Sequence, residues 1–305
     1  MKWEKRGLIY GPSGDSDWAK NSALQPTPYL KSEEGVIRMF VGFRDDAGVS
    51  RVGFVDISAD DPSQVLRVSK VPALDVGLPG AFDENGVVPC VIIERDGKLY
   101  LFYAGYQLGQ KVKFFVFSGL AISHDGGESF QRYSRVPVCD RTDRELFFRV
   151  IHTMMFDDGK WRAWYGGGSQ FDTEDGKQYP RYNIRHAESP DGIHLHDDFQ
   201  VCIDMKVGEQ RMGRPYVIKD GTIYKMFYAI GTKVEGYRLA YAESPDGLNW
   251  MRKDEEMGID VSDSGWDSQM QVCASIVSYR DKTYLFYNGN EFGRDGFGYA
   301  VLEHW

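Results

Sequence analysis

A repeat constrains this chain more than any other feature. One segment type, an apolar strand, a turn and an aromatic strand, occurs five times. The copies are PYLKSEEGVIRMFVGF from Pro28, PCVIIERDGKLYLFYAGY from Pro89, HTMMFDDGKWRAWYGGG from His152, PYVIKDGTIYKMFYAIG from Pro215 and ASIVSYRDKTYLFYNGN from Ala274. The second residue of each aromatic pair falls at Val41, Tyr103, Tyr165, Tyr228 and Tyr287, with separations of 62, 62, 63 and 59 residues. A fixed period with a polar, often Asp-Gly turn between two strands marks a repeat architecture, in which each unit buries its apolar face against the next.

Each copy runs on into a third strand: RVGFVDIS, FSGLAISHD, NIRHAESPD, YRLAYAESPD and GFGYAVLE. A fourth follows four of them, in VLRVSKVPA, FQRYSRVPV, LHDDFQVCI and WMRKDEEMGI. The fifth copy reaches Trp305 without one, and MKWEKRGLIY at the other end has the look of WMRKDEEMGI, with Trp3 equivalent to Trp250. Alternation has period 2 throughout, and no helical segment of persuasive length competes with it. The expected fold is all-β: a single-domain, five-bladed β-propeller over residues 1–305, with four antiparallel strands per blade. Its N-terminal strand closes the last blade and leaves no open edge.

Composition narrows function by exclusion. A net charge of −9 offers no basic face to a nucleic-acid backbone. No stretch approaches the roughly 20 apolar residues of a membrane span. The charged start, MKWEKRGLIYGPSGDSDW, lacks the apolar run of a signal peptide, so a cytoplasmic location is expected. Cys90, Cys139, Cys202 and Cys273 are widely spaced with no CxxC pair, which suits small buried side chains rather than zinc or disulfides. His194 and His196 form an HxH pair without a convincing carboxylate, and neither a GxGxxG nor a P-loop is present; neither a metal nor a cofactor is expected.

The turns carry a second signal. Ser123-His-Asp-Gly-Gly-Glu-Ser-Phe130 matches the Asp-box pattern S-x-D-x-G-x-[S/T]-[W/F] of sialidase-type propellers, and Ser189-Pro-Asp-Gly-Ile-His and Ser244-Pro-Asp-Gly-Leu-Asn-Trp250 are looser variants. In such turns the Asp side chain bonds its own backbone amides, so the expected role is structural. With five units and strand-opening prolines, the whole chain resembles the five-bladed glycoside hydrolase propellers of families 32, 43, 68, 117 and 130. That resemblance implies a central funnel lined by the first strand of each blade, with a sugar at its mouth. It also implies an acid just before the strand-opening proline of early blades and another from a later blade. Here the residues before the openers are Thr27, Val88, Ile151, Arg214 and Cys273, none of them a carboxylate. Gln25-Pro26-Thr27-Pro28 stands where an Asp-Pro pair is usual, a departure from ordinary two-carboxylate hydrolysis.

The segments approaching the funnel supply the candidate site. Gln25 and Thr27 come from the first unit, Asp83 and Glu84 from the second, and Glu145, Arg149 and His152 from the third. The fourth offers Glu209, Arg211 and Arg214, and the fifth Asp267, Gln269 and Gln271. Such a polar ring suits a small charged ligand. Asp83 or Glu84 is the first-choice acid/base, or else a solvated turn; Glu209 or Asp267 is the opposing carboxylate. The arginines either bind an anion bidentately or pair with Glu145, Glu209 or Asp267; arginines and a histidine hold phosphate in family 130, which the resemblance allows here. His152 is either an acid/base near neutral pH or a structural hydrogen-bonder. Tyr106, Trp164 and Phe171 are sugar-stacking candidates, and the Gly-rich hairpin 166–182 is a specificity loop.

Three functions follow as expectations. The first is a carbohydrate-active enzyme of the glycoside hydrolase or phosphorylase type, acting on a small saccharide that carries, in one version, a phosphate or carboxylate. The second is a propeller that binds carbohydrate without turnover, since a fold does not dictate its function. The third is a non-hydrolytic enzyme on a sugar phosphate or nucleotide-linked sugar of surface-polysaccharide synthesis. The expected partner is a small saccharide, with no nucleic acid and no membrane.

Overall fold

The computed structural model describes residues 1–174, 176–232 and 234–305. Strand β1 (Lys2–Tyr10) precedes a four-stranded meander of β2 (Asn21–Lys31), β3 (Val36–Arg44), β4 (Ser50–Ser58) and β5 (Val65–Val68). The order recurs in β6 (Val87–Arg95), β7 (Lys98–Leu108), β8 (Phe114–Ser123) and β9 (Gln131–Arg132), and in β10 (Phe148–Asp157), β11 (Lys160–Glu174), β12 (Lys177–Ser189) and β13 (Gln200–Ile203). It recurs again in β14 (Glu209–Asp220), β15 (Ile223–Thr232), β16 (Arg238–Ser244) and β17 (Met251–Arg252). Three strands remain: β18 (Val272–Tyr279), β19 (Lys282–Asn288) and β20 (Phe297–His304).

Strand pairing follows the repeat. β2 to β5 form one four-stranded sheet and β14 to β17 another, while β6 to β13 share an eight-stranded sheet. Within that larger sheet the two meanders meet only through a short parallel ladder, Phe148 against Val116 and Arg149 against Phe117. The last sheet runs β1-β20-β19-β18 and takes its outer strand from the opposite end of the chain. Trp3 faces Leu302 in that ladder, is 6% exposed, and packs edge-on to Phe227 and Trp305 at 6.4 and 6.3 Å. Trp250 sits comparably against Trp164, at 6.4 Å, as the equivalence of the two tryptophans requires. The architecture is nearly all-β; α1 (Asn290–Gly293) is a single short turn. Among the described residues no helix is long and apolar enough to cross a membrane.

The core lies between successive sheets. Phe40 and Phe54 of the first meander pack with Leu99, Leu101 and Tyr103 of the second, and Phe227 and Tyr241 pack with Ile276, Leu285 and Tyr287. The Asp-box turns fasten the outer corners. Asp125 accepts from Ser123 Oγ at 2.6 Å and from the amides of Glu128 and Ser129 at 3.0 Å. Burial works against the charged form, yet these bonds prevail and bring its pKa down to about 2. Asp191 and Asp246 repeat the arrangement, and His194 belongs to it, with Nδ1 at 2.8 Å from Asp191 Oδ2.

One irregularity positions the site. Every first strand of a meander carries a bulge near its start, where the ladder slips: between Leu24 and Thr27, Pro89 and Val91, Ile151 and Thr153, Gly213 and Tyr216, and Val272 and Ser275. Gln25, Arg214 and Cys273 there adopt left-handed φ values of 51°, 60° and 61°. Bulges re-aim side chains, and strained non-glycine backbone collects at functional positions.

Candidate functional site

The bulged residues meet. Gln25 from β2, Cys90 from β6, His152 from β10, Arg214 from β14 and Cys273 from β18 line one cavity of about 20 Å³, together with Thr27, Tyr216 and Ser275. Gln25 Nε2 lies 3.1 Å from His152 Nδ1, and the Gln25 amide donates to Asn288 Oδ1 at 2.6 Å. Thr27 Oγ1 donates to Gln25 O at 3.0 Å, and Arg214 Nη1 sits 2.6 Å from Cys273 Sγ. Burial first, and the nearby Arg214 charge second, push His152 down to about 3, so its ring is neutral. Burial raises the Cys90 thiol to about 12 and raises Cys273 as well, which keeps both protonated.

Beside this cavity stands a cluster of cations without counter-charges among the described residues. Arg44 at the end of β3 and Arg211 and Arg214 on β14 form no ion pair among the described residues; the Nε atoms of Arg44 and Arg211 are buried without a partner. Arg211 Nη2 donates only to Thr232 O, at 3.3 Å. Aromatic rings separate the guanidiniums: Arg211 lies 5.0 Å from the Tyr237 ring centre and Arg214 5.4 Å from that of Phe292. Tyr182 and Tyr237 join hydroxyls at 2.7 Å, and Tyr106 completes the group beside Arg44 and Arg214. Burial lowers the Arg44 pKa, and the Arg214 charge lowers it further, so the two cations share one field. Guanidiniums in this state, flanked by phenols, are equipped to bind an anion.

The sequence-selected carboxylates sit elsewhere. Asp83 and Tyr103, Glu145 and Tyr165, and Asp267 and Tyr287 are each 20 residues apart, and Glu209 and Tyr228 are 19 apart. Within each unit the acid is held by a cation. Arg132 Nε meets Asp83 at 2.8 Å, Lys5 Nζ meets Asp267 at 2.8 Å, and Arg252 Nη2 meets Glu209 at 2.5 Å. Glu145 takes two, Arg149 at 2.8 Å and Arg185 at 2.9 Å; the Arg149 contact has ion-pair distance without hydrogen-bond alignment. Tyr103 and Tyr287 donate to Asp83 and Asp267 at 3.0 Å, whereas Tyr228 donates to Asp254, which shares Arg252 with Glu209. These are repeat-equivalent locks, and none of the four acids lines the axial cavity.

The other expected residues divide between the two settings. Gln25, Thr27, His152 and Arg214 share the cavity, and Arg211 joins Arg214 in the cluster beside it. Arg149 is buried in the Glu145 lock, and Gln271 in the Asp267 lock through a 3.2 Å bond. Gln269 is exposed. Glu84 accepts from the Gly80 amide at 2.7 Å and from Gln107 Nε2 at 3.2 Å, which lowers its pKa, and it has no cationic partner among the described residues. Trp164 is wholly buried, with its indole N–H on Gly247 O, and offers no sugar platform. Phe171 packs on Phe147 at 4.2 Å in the hairpin 166–182, of which Asp175 lies outside the described residues. Sequence reasoning named none of Arg44, Tyr182, Tyr237 and Phe292 individually, although Tyr182 ends the hairpin 166–182 expected to set specificity. They flank the connections after second strands, whose unequal lengths hide the repeat, although Arg44 directly ends an aromatic strand.

Comparison with known proteins now places this geometry. The fold is that of the glycoside hydrolase-like propellers. A glycosyl hydrolase from Bacteroides ovatus superposes with a TM-score of 0.71 at 15% identity, covering 98% of this chain and 92% of that one. A thermostable family-43 glycoside hydrolase gives 0.68 at 16% identity, with 94% and 90% coverage. The β-1,2-mannobiose phosphorylase of Listeria innocua, in complex with β-1,2-mannobiose, gives 0.72 at 12% identity, with 99% and 97% coverage. Within that class the chain belongs to the family of Uncharacterized protein Rv1502 of Mycobacterium tuberculosis, with which it is 34% identical over 306 residues, 100% of each chain. No family model matches the chain.

Proposed function

We propose that this is a cytoplasmic, single-domain propeller of five blades that binds a small anionic saccharide at its funnel mouth. The blade count takes the eight-stranded sheet as two blades bridged by the short β8–β10 ladder. Arg44, Arg211 and Arg214 hold the phosphate or carboxylate of the ligand, and Tyr106, Tyr182, Tyr237 and Phe292 contact its sugar. The observation that carries the reading is the absence of any ion pair on these three arginines among the described residues. Partly buried guanidiniums without counter-charge are unfavourable alone and become favourable with a bound anion.

A second reading retains glycosidic cleavage or transfer. Glycoside hydrolases and a phosphorylase among the fold's neighbours favour it, as does Glu84, the one predicted acid with no cation on it among the described residues. Two-carboxylate chemistry needs a partner for Glu84, and Asp83, Glu145, Glu209 and Asp267 are all engaged. His152, neutral and deeply buried, is poorly suited to move protons at neutral pH.

Calorimetric titration with a hexose phosphate, a uronic acid and the parent neutral hexose tests the first reading. The anionic sugars are expected to bind and the neutral one not. Arg44→Ala and Arg211→Ala each weaken binding by roughly 10- to 100-fold, the scale of a charge-assisted bond. Equal binding of neutral and anionic sugars, or variants indistinguishable from wild type, refutes it. Turnover of nitrophenyl glycosides, with or without phosphate, that Glu84→Gln abolishes would select the second.

A further inference from the structure

We propose that the cavity on the axis is a site for one small monovalent anion, of chloride or bromide size, held by Arg214, His152 and Ser275. It goes beyond the saccharide site at the mouth, with which it shares only Arg214.

The argument begins with unmatched donors. Arg214 projects from a left-handed bulge, has the Cys273 sulfur as its hydrogen-bond contact and the Phe292 ring beside it, and has no carboxylate partner among the described residues. The side-chain amide nitrogen of Gln25 faces His152 Nδ1, so that nitrogen accepts and the single proton of the neutral ring sits on Nε2. His152 Nε2 is buried with no partner, and so is Ser275 Oγ. Both residues are more than nine-tenths buried, at 6% and 2% exposure, and both line the cavity.

Size then selects the ligand. The space is about 20 Å³. One water needs roughly 10–15 Å³ by the same measure, so a halide fits while sulfate and phosphate do not. A partly buried cation without counter-charge and buried donors without acceptors are each unfavourable, and one spherical anion answers all three groups together. A water would accept hydrogen bonds yet leave the guanidinium charge uncompensated. Cys90 and Cys273, held as thiols by their burial, add no negative charge of their own.

The test uses the full chain with no saccharide present, so its failure leaves the saccharide reading standing, and the reverse. Thermal unfolding is followed while chloride or bromide replaces gluconate at constant ionic strength. The unfolding temperature is expected to rise by roughly 2 °C at about 10 times and roughly 4 °C at about 100 times the halide dissociation constant, with the logarithmic dependence of a single site, whereas sulfate gives only the gradual, site-independent rise of an excluded salt, the same in Ser275→Ala as in wild type. Ser275→Ala weakens the apparent halide affinity about fivefold, the loss of one hydrogen bond. Crystals grown in bromide show an anomalous peak in the cavity. Unfolding that ignores halide identity, a Ser275→Ala response equal to wild type, or a cavity without bromide overturns the proposal.

Discussion

Replacing Glu145 by Gln separates a structural carboxylate from a reacting one. Glu145 has no exposed surface, and its two oxygens face Arg149 and Arg185, whose side chains are only 4% and 11% exposed. Glutamine preserves the shape, removes the charge, and turns an amide N–H₂ toward one of the guanidiniums. Leaving a buried cation without its partner costs roughly 3–5 kcal/mol. With an unfolding entropy of about 2.1 cal/mol/K per residue, a chain of 305 residues shifts about 1.6 °C for each kcal/mol. The expected drop is therefore about 5–8 °C, read by differential scanning calorimetry and by urea unfolding monitored through tryptophan fluorescence. Arg185→Gln alone should also destabilise, and the double variant should lose at least about 1 kcal/mol less than the sum, because the second substitution removes a charge the first has already orphaned. If Glu145→Gln stays within about 0.5 kcal/mol of wild type while saccharide binding or turnover disappears, the carboxylate belongs to the chemistry and the lock interpretation fails.

The remaining predictions concern protons and the closing strand. His152 titrates near 3 when folded against an ordinary 6.5 when unfolded, so the unfolded chain binds more protons between those values and stability falls as the pH is lowered from 6.5. His186, held down to about 4 by burial and the Arg162 charge, acts in the same direction. The combined slope is about 1.4 kcal/mol per pH unit at pH 6.5 and approaches about 2.7 near pH 5, and His152→Asn should roughly halve it in urea titrations; an unchanged slope would show that the ring is not buried neutral. Removing residues 1–10 exposes β20 as an open edge, so self-association on size-exclusion chromatography is expected, and Trp3→Ala should cost roughly 3–5 kcal/mol. A monomeric, fully stable truncation would contradict the pairing of β1 with β20.

Much of the scaffold was legible because it is periodic. Spacing alone located the paired strands around Val41, Tyr103, Tyr165, Tyr228 and Tyr287, and the outer strand at Trp3 could be named because MKWEKRGLIY resembles WMRKDEEMGI in its tryptophan and the basic residues after it. The Asp-box turns were legible for a similar reason: Ser and Asp two apart with Gly beyond them have one low-energy local arrangement. The acids misled for a physical reason. A carboxylate ahead of an inner strand looks the same in sequence whether it faces a ligand or a buried arginine, and its cation arrives from a fourth strand or a neighbour, as Arg132 and Lys5 do. The 20-residue spacing from acid to tyrosine was the available sign of a structural repeat. Bulges hid the rest. They turn Cys90 into the cavity beside Gln25, Thr27 and His152 while Val88 and Ile151 stay out of it, and strand slippage of one residue has no marker in composition.

The partnership of Lys2 with His304 has a kinetic meaning. Closing a loop of about 300 residues rather than a ten-residue hairpin adds only about 3 kcal/mol of chain entropy, since the penalty grows with the logarithm of length. In time the difference is far greater, because contacts between distant residues form late. On the ribosome, β1 emerges well before β20 and waits for it. Until then β1 has no hydrogen-bonding neighbour in its own sheet, and the side of it that carries Trp3 stays uncovered.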